Sequence, residues 1–289
     1  MYLHGLGYRM KKIISFSLWG NNALYVVGAL VNADIAKEEW PDWICRFYVG
    51  DTVPKEAIDD LKERDNVEVV EMNKDESWNG MFWRFYPTSD PDVDVVIFRD
   101  ADSRLNIRDR VAVEEWIASD KGVHIMRDNC QHGWAICGGM WGVKKGTLPN
   151  LRNIIEKNEL KEKNNKHGID QIFLQYEVYD NIITDAFVHD DWFPNGFLGE
   201  EKHPFPIPRL RGEGWWEQEF PEWHSGIEED FEKYPWPEGR CFFKCPACGE
   251  YHDNDYIGKT QIPYGEEKIK YANIIEACLF ANIKESTNG

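Results

Sequence analysis

The chain lacks any run approaching the roughly 20 apolar residues of a membrane-spanning helix, and Met1 to Met10 lack the continuous apolar core of a signal peptide. Positive charge is scarce. Lys and Arg number 33 against 51 Asp and Glu, and a net charge of -18 argues against a phosphate-tracking surface, so no nucleic-acid partner is expected. Internal repeats and low-complexity tracts are absent as well, and the polar stretches are too short for extended disorder. The 7 cysteines are odd in number, and Cys45, Cys130, Cys137 and Cys278 stand singly rather than in a disulfide framework. Reduced thiols, no membrane span and a cytoplasmic location are the resulting expectations.

What remains is an ordinary globular composition, 42% hydrophobic and 29% charged over 289 residues, long enough for one large core or two smaller ones. Tryptophan is abundant at 13. Indole faces suit sugar rings, although most of these rings belong in the core. Strand-like and helix-like segments alternate along the first half. Lys12 to Leu18 reads as a strand, followed by a turn at Gly20-Asn21-Asn22 and a helical pattern running through Ala33 to Glu39. Trp43 to Val49 and Val67 to Met72 read as strands on either side of a helix over Pro54 to Arg64. Val93 to Phe98 is the short apolar run of a buried central strand.

Ile107 to Ser119 then reads as a helix and Val123 to Met126 as a strand, with helices over Leu148 to Lys157 and Asp170 to Val178 and a late strand at Ala186 to His189. Repeated units of this kind predict an α/β fold, a mainly parallel central sheet flanked by helices. Beyond Pro194 the pattern degrades, and a helical period returns over Tyr271 to Lys284. The expected organisation is a catalytic core over residues 1-200 and an irregular C-terminal extension over 201-289.

Charge appears where the apolar run of Val93 to Phe98 stops, in Arg99-Asp100-Ala101-Asp102. Ligands of open α/β sheets bind beyond the carboxyl ends of strands, and two carboxylates spaced by one residue there can share a hard dication such as Mn2+ or Mg2+, with a substrate diphosphate on its other side. Arg99 and Arg104 bracket the two acids. Arg84, embedded in Met81-Phe82-Trp83-Arg84-Phe85, suits either a phosphate, an acid of the motif or stacking on its neighbouring rings. A second cluster, Cys241, Cys245, Cys248 and His252, contains a Cys-Pro-X-Cys-Gly turn of the kind that holds a structural Zn2+.

On Asp100-Ala101-Asp102 the sequence resembles the nucleotide-sugar glycosyltransferases of GT-A fold, whose Asp-X-Asp motif ends a central strand. Gly138-Gly139-Met140-Trp141-Gly142 is similar to the small-residue segment near the donor sugar in such enzymes. His167-Gly168-Ile169-Asp170-Gln171 looks like the Asp-Gln helix start of the glycogenin-like, retaining members. The resemblance covers roughly Lys12 to Asp191. It implies a UDP- or GDP-linked sugar donor, a glycan or other hydroxyl acceptor, and catalytic roles for Asp170 and Gln171. It further implies a donor pocket of Ser17, Trp19, Arg84, Arg99, Asp100, Ala101, Gly138 and Gly139, and His189 as third ligand of the ion held by Asp100 and Asp102. The glycine and Lys-Pro-Trp that follow the family's histidine are absent here. Trp19 suits a nucleotide base or the core equally, Asp170 suits a helix cap as well as a sugar contact, and Asp190 or Asp191 stands beside His189 as an alternative ligand. Two rival readings are a phosphatase of the haloacid dehalogenase type, which would use Asp100-Ala101-Asp102 with Asp190-Asp191, and a non-enzymatic carbohydrate-binding protein with an aromatic C-terminal surface.

Overall fold

A computed structural model describes residues 9–72, 78–128, 132–157, 166–191, 197, 200–207, 242–244, 251–253, 257, 258, 260, 261, 263 and 265–287. Its strands are, in chain order, β1 (Lys12–Leu18), β2 (Trp43–Val49), β3 (Val67–Glu71), β4 (Val95–Phe98), β5 (Val123–Arg127), β6 (Trp141–Lys144), β7 (Ala186–Asp190) and β8 (Lys202–His203). They form one 8-stranded sheet in the order β3-β2-β1-β4-β6-β5-β7-β8. All pairings are parallel except those of β6, which runs antiparallel to both β4 and β5. The fold class is the expected α/β sheet, with one reversed strand near its centre. A separate antiparallel pair joins Phe242–Lys244 to Tyr251–Asp253.

Both faces of the sheet are covered, so its central strands are apolar at nearly every position. Alternation still sorts the side chains. Ile14, Phe16 and Leu18 of β1 and Val95 and Ile97 of β4 enter one core, with helices α1 (Ala23–Glu39), α2 (Lys55–Lys62) and α3 (Ile107–Ala118). Ile13, Val96 and Phe98 point into the other core, under a 3-10 segment (Trp78–Ser89), helix α4 (Leu151–Lys157) and the short helices between Ile169 and Ile182. Tyr271, Ile274 and Cys278, at and beyond the start of the terminal helix Ala272–Thr287, are buried in the first core. The last helix of the chain therefore packs onto the sheet's own helical layer.

The structure adds two elements absent from the sequence reading and divides a third. β6 begins within the small-residue segment Gly138-Gly139-Met140-Trp141-Gly142, for which no strand was expected. Gly142 lies within it because a Cβ there would come within 2.9 Å of the Val96 carbonyl oxygen, so glycine permits a close strand rather than a turn. The aromatic run Trp78–Ser89 winds as a 3-10 segment with Pro87 inside it. The helix read over Asp170 to Val178 divides into an α-helix at Ile169–Phe173 and a wider π turn at Leu174–Val178. The cysteines described, Cys45, Cys137 and Cys278, are unpaired and buried. Among the described residues no helix is long and apolar enough to cross a membrane.

Two histidines meet inside the sheet. His124 on β5 and His189 on β7 are both fully buried, with Nε2 of the first 2.8 Å from Nδ1 of the second. Burial, followed by the nearness of His189, holds the His124 pKa well below its ordinary value. Burial also lowers that of His189, against the opposing hydrogen bond to Glu115. Both rings therefore titrate lower in the folded chain than in the unfolded one. As pH falls through about 6.5 the unfolded chain takes up protons that the folded chain refuses, and stability is lost. The melting temperature is expected to fall between pH 7.5 and about 5.5, and His124→Gln to flatten that fall. A variant whose melting temperature tracks pH as steeply as the parent's would contradict this.

Candidate active site

A cavity of about 540 Å³ opens beyond the carboxyl ends of β1 and β4. Segments distant in sequence line it. Ser17 and Trp19 come from the end of β1 and the turn after it, and Asp100, Ala101 and Asp102 from the turn after β4. Gly138 and Gly139 enter just before β6, Asp170 and Gln171 from the helix Ile169–Phe173, and Arg84 from the 3-10 segment. Trp19 is half-buried and packs edge-on against Trp78 and Trp83, at centroid distances of 6.4 and 6.2 Å, so it serves as both packing and wall.

The turn that carries the two acids is held from behind by α1. Asn32, fully buried in that helix, donates through Nδ2 to the carbonyls of Ala101 (3.3 Å) and Ser103 (2.8 Å), and accepts from Leu105 N (2.9 Å). Gly28, one helical turn earlier, lets the helix come so near that an added Cβ would fall on the Ala101 carbonyl oxygen. Ser103 Oγ donates to the Asp100 carbonyl at 2.9 Å. The turn is thus fixed by its backbone, which leaves both carboxyl groups for other partners.

Arg84 is the electrostatic centre of the site. The residue is 4% exposed, and its guanidinium pairs with Asp100 through Nη1 and with Asp170 through Nη2, the latter at 2.5 Å. Burial disfavours its charge, but Asp100 and Asp170 outweigh that and hold it protonated above its ordinary pKa. Asp170 is fully buried; burial raises its pKa and Arg84 opposes the rise. Its Oδ1 has no hydrogen-bond partner among the described residues, so a buried acceptor stands open beside the cavity. Asp102 is also raised, by burial and then by the charge of Asp100, against a hydrogen bond from Thr260. Burial, Asp102 and Asp100 together raise the pKa of Tyr25, which keeps its phenol a donor at the cavity wall.

The two glycines shape the space between these groups. A Cβ on Gly139 would land on the Asp100 carboxylate, and one on Gly138 on Asp170 Oδ2, with Arg84 Nη2 2.5 Å away. Backbone approach is what both positions require.

Among the described residues three carboxylates and one guanidinium line this cavity, so a polyanionic ligand would meet repulsion from them without a cation. Among the described residues no three His, Cys, Asp or Glu side chains form a ready ligand set. A hard dication is commonly held by one or two carboxylates plus substrate phosphates, and Asp100 and Asp102 fit that smaller requirement.

Other residues expected in the site lie elsewhere. Arg99 points inward, 2% exposed, with Asp109 held through Nε and Nη2 at 2.8 and 2.6 Å and the carbonyls of Phe98 and Trp141 through Nη1. It ties β4 to α3 and β6 rather than lining the cavity. His189 is not brought to the two acids either. On β7 its ring is fully buried, near the Phe187 and Phe205 rings, and bonded to His124 and to Glu115 (3.1 Å). Asp190 pairs with Arg127 and Asp191 with Arg108, so neither alternative ligand lines the cavity and the phosphatase reading loses its second acidic pair. Arg104 reaches Glu267. Cys241, Cys245 and Cys248 lie outside the described residues, as does the side chain of His252.

The cavity also recruits residues that the sequence did not single out: Tyr25, Trp78, His132 and Thr260. His132 Nδ1 accepts from Asp128 N at 3.0 Å, which places the proton of the neutral ring on Nε2. Trp78 is 41% exposed and edge-on to His167, at 5.1 Å.

No protein-family model matches the chain, and no curated protein matches it in sequence. Among solved structures it is similar to a glycosyltransferase involved in the glycosylation of the major capsid of PBCV-1, with 13% identity over 62% of this chain and 81% of that one and a TM-score of 0.43. It is similar to S. aureus TarS 1-349 with 14% identity over 63% of this chain and 59% of that one, TM-score 0.44. The mannosyltransferase PcManGT from Pyrobaculum calidifontis, in complex with GDP-Man and Mn2+, gives 12% identity over 50% and 47%, TM-score 0.38. The chain spans less than two thirds of the last two. These likenesses lie in the path of the backbone alone.

Because Asp170 and Arg84 are both buried, Gly138→Ala has no cheap relaxation and is expected to cost about 1–3 kcal/mol of stability. Gly139→Ala displaces only the half-exposed end of Asp100 and is expected to cost well under that. Urea denaturation of the two variants checks the difference, and equal losses would contradict the geometry.

Proposed function

We propose that this chain is a glycosyltransferase that moves a sugar from a nucleotide-diphosphate donor to an acceptor hydroxyl, with a divalent cation held by Asp100 and Asp102. The observation that carries the reading is the convergence of Asp100, Asp102, Asp170, Arg84 and the Gly138-Gly139 backbone on one cavity at the carboxyl end of the central strands. That is where an open α/β sheet binds its ligand. Among the described residues of the wall, the excess of carboxylates over cations supports a metal-bound diphosphate rather than a bare one. Mn2+ or Mg2+ when bound supplies Lewis-acid stabilisation of the departing nucleoside diphosphate.

The chain's own residues do the rest. Asp100 and Asp102 offer oxygen ligands from a turn whose backbone Asn32 fixes, so little reorganisation accompanies binding. Gly138 and Gly139, having no side chains, let the Asp170 and Asp100 carboxylates lie directly against the main chain at the cavity wall. Asp170, buried and aligned by Arg84, presents its open Oδ1 as an acceptor for a sugar hydroxyl and places negative charge where an oxocarbenium-like centre develops. Gln171 is the neighbouring amide on the same wall, and Trp19 with Ser17 lines the cavity where this reading puts the nucleotide. Arg84 prevents Asp100 and Asp170 from repelling one another while the site is empty of substrate.

A ligand bound only by the folded chain raises its melting temperature. A panel of UDP- and GDP-linked sugars is expected to shift melting upward in Mn2+ and far less in EDTA, and Asp100→Asn with Asp102→Asn to abolish the metal-dependent part. The same double variant is expected to lose sugar transfer by roughly 100-fold or more, as removal of a central electrostatic group does. Donor shifts identical with and without the metal would overturn the cation role, and turnover surviving in the double variant would overturn the site.

A further inference from the structure

We propose that Thr260 is a positioning residue for Asp102, so that the C-terminal extension completes the donor site; this rests on the reading of Asp100 and Asp102 as cation ligands. Thr260 Oγ1 donates to Asp102 Oδ2 at 2.8 Å, and Gln261 N donates to the Asp102 carbonyl at 2.7 Å. One residue of the motif is therefore gripped at both side chain and backbone by a segment 158 positions further along the chain.

The grip has a firm origin. Ile257, 2% exposed, packs in a small core with Met126, Met140 and Phe205, and its N–H donates to Asp128 Oδ2 at 2.9 Å. Gly258 follows at φ +82, a left-handed conformation suited to glycine, with the place of a Cβ taken by the Met140 sulfur. Gly258 and Thr260 both line the cavity. The buried anchor at Ile257 thus sets where the exposed hydroxyl of Thr260 stands.

A carboxylate turns readily about its last side-chain bond, and Asp102 stands near the like charge of Asp100. A hydroxyl donating to Oδ2 restrains the group's rotation and leaves Oδ1 for the cation. Hydrogen bonds of this kind to a metal ligand govern metal affinity strongly when the ligand set is small.

Mn2+ binding measured directly, by the electron paramagnetic resonance of the free ion and without any turnover, tests the assignment. Thr260→Val is expected to weaken Mn2+ roughly tenfold, whereas Thr260→Ser stays within about twofold because it keeps the hydroxyl. Both are expected to melt with the parent, the side chain being exposed. A Val variant that binds Mn2+ like the parent, or a Ser variant as weak as the Val variant, overturns the role of Thr260. Asp102→Asn separates the two levels of the argument. Loss of Mn2+ in that variant beside normal binding in Thr260→Val refutes only the positioning role. If the parent binds no Mn2+, or Asp102→Asn binds it normally, the cation reading falls and this inference with it.

Discussion

A single guanidinium holds the site together. Arg84 lies almost wholly out of water, where an unpaired charge is prohibitively unfavourable, and it is tolerated because Asp100 and Asp170 both reach it. Each of those acids belongs to a different layer of the molecule, one to the turn after β4 and the other to a helix on the far side of the cavity. Withdrawal of any one of the three would strand the others, so their relative positions are set by charge as much as by packing. The same arrangement keeps Asp100 half-exposed, which leaves it accessible to a cation.

Behind the charges stands the α1 helix. Asn32 takes up the carbonyls of Ala101 and Ser103 and the N–H of Leu105 with its one amide, so the turn needs no help from its own carboxylates. This separates support from chemistry. The carboxyl groups are left instead to Arg84 and Thr260, and burial followed by the charge of Asp100 raises the pKa of Asp102.

Much of this was legible in the residues. Strong apolar runs located β1, β2, β4 and β7 closely, and the acids at the end of β4 fell where strand-end logic puts a site. Arg84 carried a weaker signal: a lone cation among aromatic residues has several uses, and only the fold chooses among them. Other features were hidden for definable reasons. Asn32 sits mid-helix, where an amide has no sequence signature, and Thr260 lies in a stretch without periodicity. β6 is four residues long and contains a glycine, so no alternation announces it. His189 followed a strand-like run and matched the family's order of elements, but the side of a strand on which a residue projects depends on register, and register sends this ring toward His124 and Glu115. Arg99 misled in a related way, since adjacency to Asp100 in the chain places it on the opposite face of β4's end.

The reversed strand has a geometric consequence. In a wholly parallel sheet every strand finishes at one rim, and the segments that lead into strands arrive at the other. Because β6 runs against β4 and β5, its beginning lies at the rim where its neighbours finish. The Gly138-Gly139 lead-in thereby faces Asp100 across the cleft, whereas the same peptide ahead of a strand of ordinary sense would open onto the opposite edge of the molecule.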